Sequence, residues 1–175
     1  MLKYEDDHLC SDVIAHNAQL YSDKVAVVCD GRSLTWAALD KRTNMVANAL
    51  RDLGYDKGDK IALFMPNSLA SFELFWGIVK AGCVVVTLNT MLEGEALVRL
   101  TNASDAQAIF VDDSTRVLVD RQRPKLLHIP RDRYFTVGTI AEGWAPSEDV
   151  ICAASDAKPK VKINSDDSMT IIFTS

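Results

Sequence analysis

The sequence predicts an α/β fold, a largely parallel sheet with helices on both faces. Three observations carry that expectation. Short apolar runs over 60–65, 83–88, 107–111 and 125–129 alternate with helix-like segments, which is the pattern of βαβ units. Apolar residues stand at adjacent positions in these runs rather than only at every second one, as in strands covered on both faces. The chain also has 175 residues, 48% of them apolar and 25% charged, enough to bury a core.

The elements follow in order. Ser11 stands where it would cap a short helix carrying Val13, Ile14, Ala18 and Leu20. A valine-rich strand over 24–28, a turn at Asp30-Gly31 and a return strand over 32–34 make a hairpin. Thr35 is placed to cap a helix over 36–53, in which Leu39, Thr43, Val46, Leu50 and Leu53 recur on one face, and Gly54 offers the left-handed stop. After the first apolar run, Asn67 or Ser68 caps a helix that places Leu69, Phe72, Trp76 and Val79 on one face and ends at Gly82. A helix over 93–103 buries Ala96, Leu97 and Leu100, and a shorter one over 114–122 is closed by Arg123-Pro124. Past Pro130, residues 134–137 read as a strand, Ser147 as the cap of a helix through 154, and 155–165 as a polar loop. Residues 169–173 read as a last strand, buried on both faces, that returns to the sheet. The whole is expected to form one α/β unit, with 1–58 supplying helix, hairpin and amphipathic helix and 59–175 the sheet module.

Composition narrows the function classes. Nineteen basic against 24 acidic side chains give a net charge of −5, and no Lys/Arg-rich block exists to neutralise phosphates, which argues against nucleic-acid binding. Cys10, Cys29, Cys83 and Cys152 form no C-x-x-C pair and read as small buried apolar residues in a reducing compartment. The amino-terminal MLKYEDDHLC lacks the character of a signal or transit peptide, and the apolar stretch over 69–86 is broken by Glu73, Lys80 and two glycines. The expectation is a cytoplasmic protein with no transmembrane segment.

The residue types that carry chemistry are dispersed. His8, His16 and His128 are too scattered for a metal cluster. Glu93 with Glu95, and Asp112 with Asp113, sit at helix starts, where acids already interact favourably with the helix dipole. Trp36, Phe72, Phe75 and Trp76 read as core rather than as a stacking platform. Neither G-x-G-x-x-G nor G-x-x-x-x-G-K-[ST] occurs. No catalytic residue and no metal ligand is assigned.

Longer motifs are more specific. Leu34, Thr35, Trp36 and Leu39 form L-T-[YW]-x-x-L; Leu53, Gly54, Gly58 and Asp59 form L-G-x-x-x-G-D; Pro66, Asn67 and Ser68 form P-N-S. Lys80, Ala81 and Gly82 precede an apolar strand and Asn89. Together they resemble the opening of the adenylate-forming (AMP-binding) enzymes, which include acyl- and aryl-CoA synthetases. The likeness runs from about 25 to 112 and returns at the end, where Asp167, Ile171, Phe173, Thr174 and Ser175 match the strand that leads into the family's phosphate loop.

The resemblance implies that Thr174 and Ser175 open a nucleotide-binding loop whose glycines and lysine would follow. It implies ATP, magnesium and coenzyme A as cofactors of the intact enzyme, with none bound tightly by this chain, and a small-molecule carboxylic acid as substrate. The activity implied is carboxylate adenylation followed by thioester formation, with this chain inactive alone. The alternative is a non-catalytic α/β interaction or regulatory module derived from the same scaffold. Apolar surface left uncovered would favour self-association.

Overall fold

The computed structural model describes residues 9–173. A turn of 3₁₀ helix at Cys10–Asp12 runs directly into α1 (Val13–Leu20). Ser11 lies buried inside that turn, and no side chain caps α1, so the expected Ser11 cap is replaced by a continuous helical entry. β1 (Val25–Cys29) and β2 (Arg32–Thr35) pair antiparallel, turning through Asp30 and Gly31 at φ of 50° and 72°. Positive φ at both turn residues matches the right-handed twist of a two-residue hairpin. Thr35 Oγ1 then accepts the N–H of Ala38 at 3.2 Å and starts α2 (Trp36–Asp52).

The main sheet has six strands, all parallel. β3 (Lys60–Phe64), α3 (Leu69–Lys80), β4 (Val84–Thr87), α4 (Gly94–Ala103), β5 (Ala108–Asp112) and α5 (Asp113–Asp120) follow one another as βαβ units. β6 (Tyr134–Val137), β7 (Ala145–Pro146), α6 (Ser147–Ala153) and β8 (Thr170–Ile172) complete it in the order β7-β6-β5-β3-β4-β8. Every neighbouring pair is parallel, including β8 against β4, as the apolar runs predicted.

Side chains alternate across the sheet into two cores. Ile61, Leu63, Val85, Phe110 and Phe135 face α2, α3 and α6, whose Val46, Leu50, Leu74, Ile78 and Ile151 complete that layer. Ala62, Phe64, Val86, Ile109 and Val111 face α4 and α5 through Leu97 and Val119. Phe110 and Phe135, opposite each other on β5 and β6, stack at 4.6 Å.

Several expectations are corrected. Residues 125–129 form no strand: Leu126 and Ile129 are buried while Leu127 is 75% exposed and His128 is exposed, a spacing incompatible with strand alternation. Turn bonds from Lys125 N–H to Gln122 and Leu126 N–H to Arg123, next to Pro124, use the backbone groups a ladder would need. β6 takes that place beside β5. Ser147 is the first residue of α6, and Pro146 holds the cap position. Phe72 is 37% exposed, and Trp36, Phe75 and Trp76 are half-buried, so these aromatics rim the core rather than fill it. Of the cysteines only Cys83 is buried; Cys10 and Cys152 are exposed and Cys29 is intermediate. β8 is covered on one face only: Ile171 and Phe173 pack beside the α4–α5 core while Ile172 is 67% exposed.

The segment between α5 and β7 is held by Arg123. Its guanidinium carbon lies 4.2 and 4.1 Å from the ring centres of Tyr134 and Trp144, its Nη1 donates to Gly143 O at 2.7 Å, and Asp120 lies 3.1 Å from its Nε. Arg123→Ala is expected to lower unfolding free energy by about 2 kcal/mol. Arg123→Lys, which keeps the charge without the planar fork, should recover less than half of that loss in urea titration.

Candidate functional site

In an open parallel sheet, ligands bind outside the carboxyl ends of the strands, where successive connections leave in opposite directions. Here that point lies between β3 and β5, since the chain moves from β3 to β4 on one side and then to β5 on the other. A cleft of about 350 Å³ opens there, lined by Met65, Ser68 and Leu69 after β3, Asp112 and Asp113 where β5 passes into α5, and Arg32 from the hairpin. A second cleft of about 270 Å³ lies between the ends of β3 and β4, lined by Asn67, Ser68, Ser71, Phe72, Phe75 and Thr87.

Several polar groups of the two clefts are committed to structure, while Arg32 lines the larger one as an exposed cation. Asp112 Oδ1 accepts the N–H groups of Ser114 and Thr115 at 3.0 and 3.2 Å and caps α5. Asp113 accepts from Thr139 Oγ1 at 2.9 Å and from its N–H. Ser68 and Ser71 bond each other's backbone N–H at 3.1 and 2.7 Å, forming the capping box that starts α3. Among the described residues no group of three His, Cys, Asp or Glu side chains is placed to hold a metal ion. His128 Nε2 lies 3.6 Å from Asp105, His16 is on the exposed side of α1, and His8 lies outside the described residues. A magnesium ion therefore finds no such ligand group among the described residues.

Thr174 and Ser175, the two predicted nucleotide contacts, lie outside the described residues. What the structure describes is the approach to them. Because β8 runs parallel to β4 at the edge of the sheet, the chain leaves Phe173 at the carboxyl end, the same end as both clefts.

The motif residues themselves build the scaffold. Gly54, Gly58 and Gly82 adopt φ of 89°, 91° and 77°, and Asp59 Oδ1 accepts from Gln107 Nε2 at 2.8 Å. Lys80 has a role that the sequence reading missed. Its side chain is 5% exposed, with Nζ 2.6 Å from Asp40 Oδ1 and 2.8 Å from Asn44 Oδ1. Burial pulls the Lys80 pKa down, and the bond to Asp40 opposes that shift. Glu73, also buried, takes Arg42 Nε at 2.9 Å, and Arg42 reaches Glu148 on α6 at 2.8 Å. Burial of Arg42 disfavours its charge, but Glu148 and Glu73 outweigh it and raise the pKa. The available signal was an acid at 40 and a base at 80 on helices that were both expected to be core-facing.

Asp40→Leu should cost about 3 kcal/mol, because it strands a buried ammonium. Lys80→Met should cost less, since Asp40 is 23% exposed and can take water. The double variant should recover most of the loss, as replacing a whole buried pair by apolar groups often does; urea unfolding of the three variants checks the order.

The comparisons agree with this architecture. The AMP-binding enzyme family matches residues 14–175. A medium/long-chain-fatty-acid–CoA/3-oxocholest-4-en-26-oate–CoA ligase of Mycobacterium marinum is 32% identical over 128 residues, 70% of this chain and 23% of that protein. The fatty acid–acyl-carrier-protein ligase ScoC of Streptomyces coeruleorubidus is 27% identical over 150 residues, 86% of this chain and 27% of its own. The chain thus spans about a quarter of the length of these curated relatives. Among solved structures, the anthranilate CoA ligase AuaEII, in complex with anthranoyl-AMP, superposes with a TM-score of 0.88 at 23% identity, over 94% of this chain and 32% of that one. A fatty acyl CoA synthetase of Mycobacterium tuberculosis gives 0.81 at 24% identity, over 94% and 32%. At those identities the structural likeness is one of fold, and the family match runs over nearly the whole sequence: the chain belongs to the AMP-binding enzyme family.

Proposed function

We propose that this chain is the amino-terminal part of an ATP-dependent acyl- or aryl-CoA synthetase, acting as one α/β unit in which 1–58 braces the sheet module of 59–175. The intact enzyme joins a small-molecule carboxylic acid to AMP with release of pyrophosphate, then passes the acyl group to the thiol of coenzyme A. Thr174 and Ser175 contact the nucleotide phosphates, and ATP, magnesium and coenzyme A are used by the intact enzyme rather than held by this chain. The proposal includes a cytoplasmic setting. One observation carries most weight: β8, the strand of the terminal motif, lies parallel beside β4 and directs the chain to the carboxyl end of the sheet.

The groups present among the described residues support a scaffold rather than an active catalyst. Exposed Ile172 and Val28, at 67% and 66%, favour self-association of the isolated chain. The test is carboxylate-dependent exchange of labelled pyrophosphate into ATP, compared between the 175-residue chain and the chain continued through its natural downstream sequence. Activity in the continued chain alone supports the reading. Inactivity in both, over a panel of fatty and aromatic acids, favours the non-catalytic module.

A further inference from the structure

Between α6 and β8, residues 154–169 carry no helix or strand, and a loop that long inside a compact domain usually has a task. Side chains from earlier in the chain hold it at both ends. Asn48 Nδ2 donates to the carbonyls of Ser155 and Ala157 at 2.7 and 2.9 Å, and Asn44 Nδ2 to that of Asp156 at 3.0 Å. Lys57 takes the far end, with Nζ 2.6 Å from Asp167 Oδ2 and 3.3 Å from the carbonyl of Lys162. Asp167 Oδ2 also accepts the N–H of Asn164 at 2.6 Å, while its own N–H donates to Asn164 O at 3.1 Å. The carboxylate thus closes the turn by which the loop becomes β8. Lys57, and then the Asn164 N–H, hold its pKa below the ordinary value.

Gly82 makes room for this arrangement. A Cβ there would come 2.9 Å from Val161 Cγ1 and 3.3 Å from Lys57 Cγ, so only a residue without one lets both sit against the start of β4. β8 depends on such a hold because it has three residues and a single neighbouring strand. Its register places Thr170 opposite Val85 and Ile171 opposite Val86, with Val85 N–H donating to Met169 O at 3.0 Å and Thr170 Oγ1 to Val85 O at 2.9 Å. A slip of one residue would move the end of the strand by about 3.3 Å and turn each side chain to the opposite face.

We propose that Lys57, through its ion pair with Asp167 and its bond to the Lys162 carbonyl, is a positioning residue for nucleotide binding: it fixes the register in which β8 presents the segment after Phe173. This rests on the nucleotide role proposed for Thr174 and Ser175. Lys57 precedes β3 and so lies at the amino end of the sheet, remote from the clefts, and acts only through the strand.

Two measurements test it. In the 175-residue chain, hydrogen exchange of the Val85 amide reports the β4–β8 ladder, and that of the Ile109 amide, bonded to Arg133 O, serves as an internal reference. Lys57→Met should speed Val85 exchange about 3- to 5-fold relative to Ile109, with protection recovered in Lys57→Arg. In the chain continued through its natural downstream sequence, Lys57→Met should raise KM for ATP about 10-fold in pyrophosphate exchange. KM for the carboxylate should stay unchanged, and Lys57→Arg should restore KM for ATP. Unaltered Val85 exchange in Lys57→Met overturns the register role. Faster Val85 exchange with an unchanged KM for ATP overturns the link to nucleotide binding. A wild-type continued chain without any activity removes the nucleotide reading itself, an outcome distinct from either.

Discussion

The 175-residue chain, supplied with ATP, magnesium and any carboxylic acid, is expected to give no pyrophosphate exchange above background. At the carboxyl end of the sheet the described side chains offer little to a triphosphate: Asp112 and Asp113 are acidic and already bonded, Arg32 is the cation that lines the larger cleft, and the Ser68–Ser71 capping box takes the Ser71 N–H in the first turn of α3. Each missing donor to the developing charge costs about 10² to 10³ in rate, and several are needed together for attack on a phosphoryl centre. The continued chain, if it supplies those groups, should exchange pyrophosphate only when a carboxylate is present. Robust exchange by the 175-residue chain itself would overturn this account, because it would require groups the described residues do not contain.

Much of the scaffold was legible because local signals agreed with one another. The apolar steps from Leu39 to Leu53, the Thr35 cap and the left-handed Gly54 each pointed to the same helix, and α2 follows them closely. The strands at 60–64, 84–87 and 108–112 were legible because burial on both faces leaves a continuous apolar run. The segment at 125–129 reads as another short apolar run, yet Arg123, packed against Tyr134 and Trp144, and the turn bonds around Pro124 decide its shape. Those are contacts across sequence, which a run of apolar letters does not contain. β8 was misjudged for a related reason: Ile172 is as apolar as Ile171, but no described helix lies over its face.

The candidate site was less legible than the fold. Its nucleotide contacts at Thr174 and Ser175 were read from the resemblance, and the residues that hold β8 in place come from far upstream. Lys57 meets Asp167 across 110 positions, and Asn48 meets Ala157 across 109. No periodicity marks such partners, because each is a single polar side chain on an otherwise ordinary turn or helix. The buried charges on α3 were visible only as interruptions of an apolar stretch. Their sense emerges once Asp40 and Arg42 on α2 are placed opposite them, giving two ion pairs, at 2.6 and 2.9 Å, that join the same two helices.

The packing of those two helices sets up the largest expected stability effect. At Gly77 on α3, an added Cβ would stand 2.3 Å from both Cβ and Cγ1 of Val46 on α2, and 3.1 Å from the Thr43 carbonyl. Non-bonded carbons rest at about 3.5 to 4.0 Å, and because the Cβ of Val46 is fixed to its backbone, no rotamer change relieves the clash. The helices must separate. Separation would strain both Asp40–Lys80 and Arg42–Glu73, leaving buried charges with poorer partners. Gly77→Ala is therefore expected to cost about 3 kcal/mol or more, even after the gain of about 1 kcal/mol that alanine brings to a helix interior. Val46→Ala, which keeps the clashing Cβ, should rescue little in the Gly77→Ala background. Val46→Gly, which removes it, should show a favourable coupling of about 1 to 3 kcal/mol in a double-mutant cycle. Urea unfolding of the four chains measures this directly. A Gly77→Ala chain within about 0.5 kcal/mol of wild type would show that α2 and α3 can move apart freely, and that the two ion pairs do not depend on their close approach.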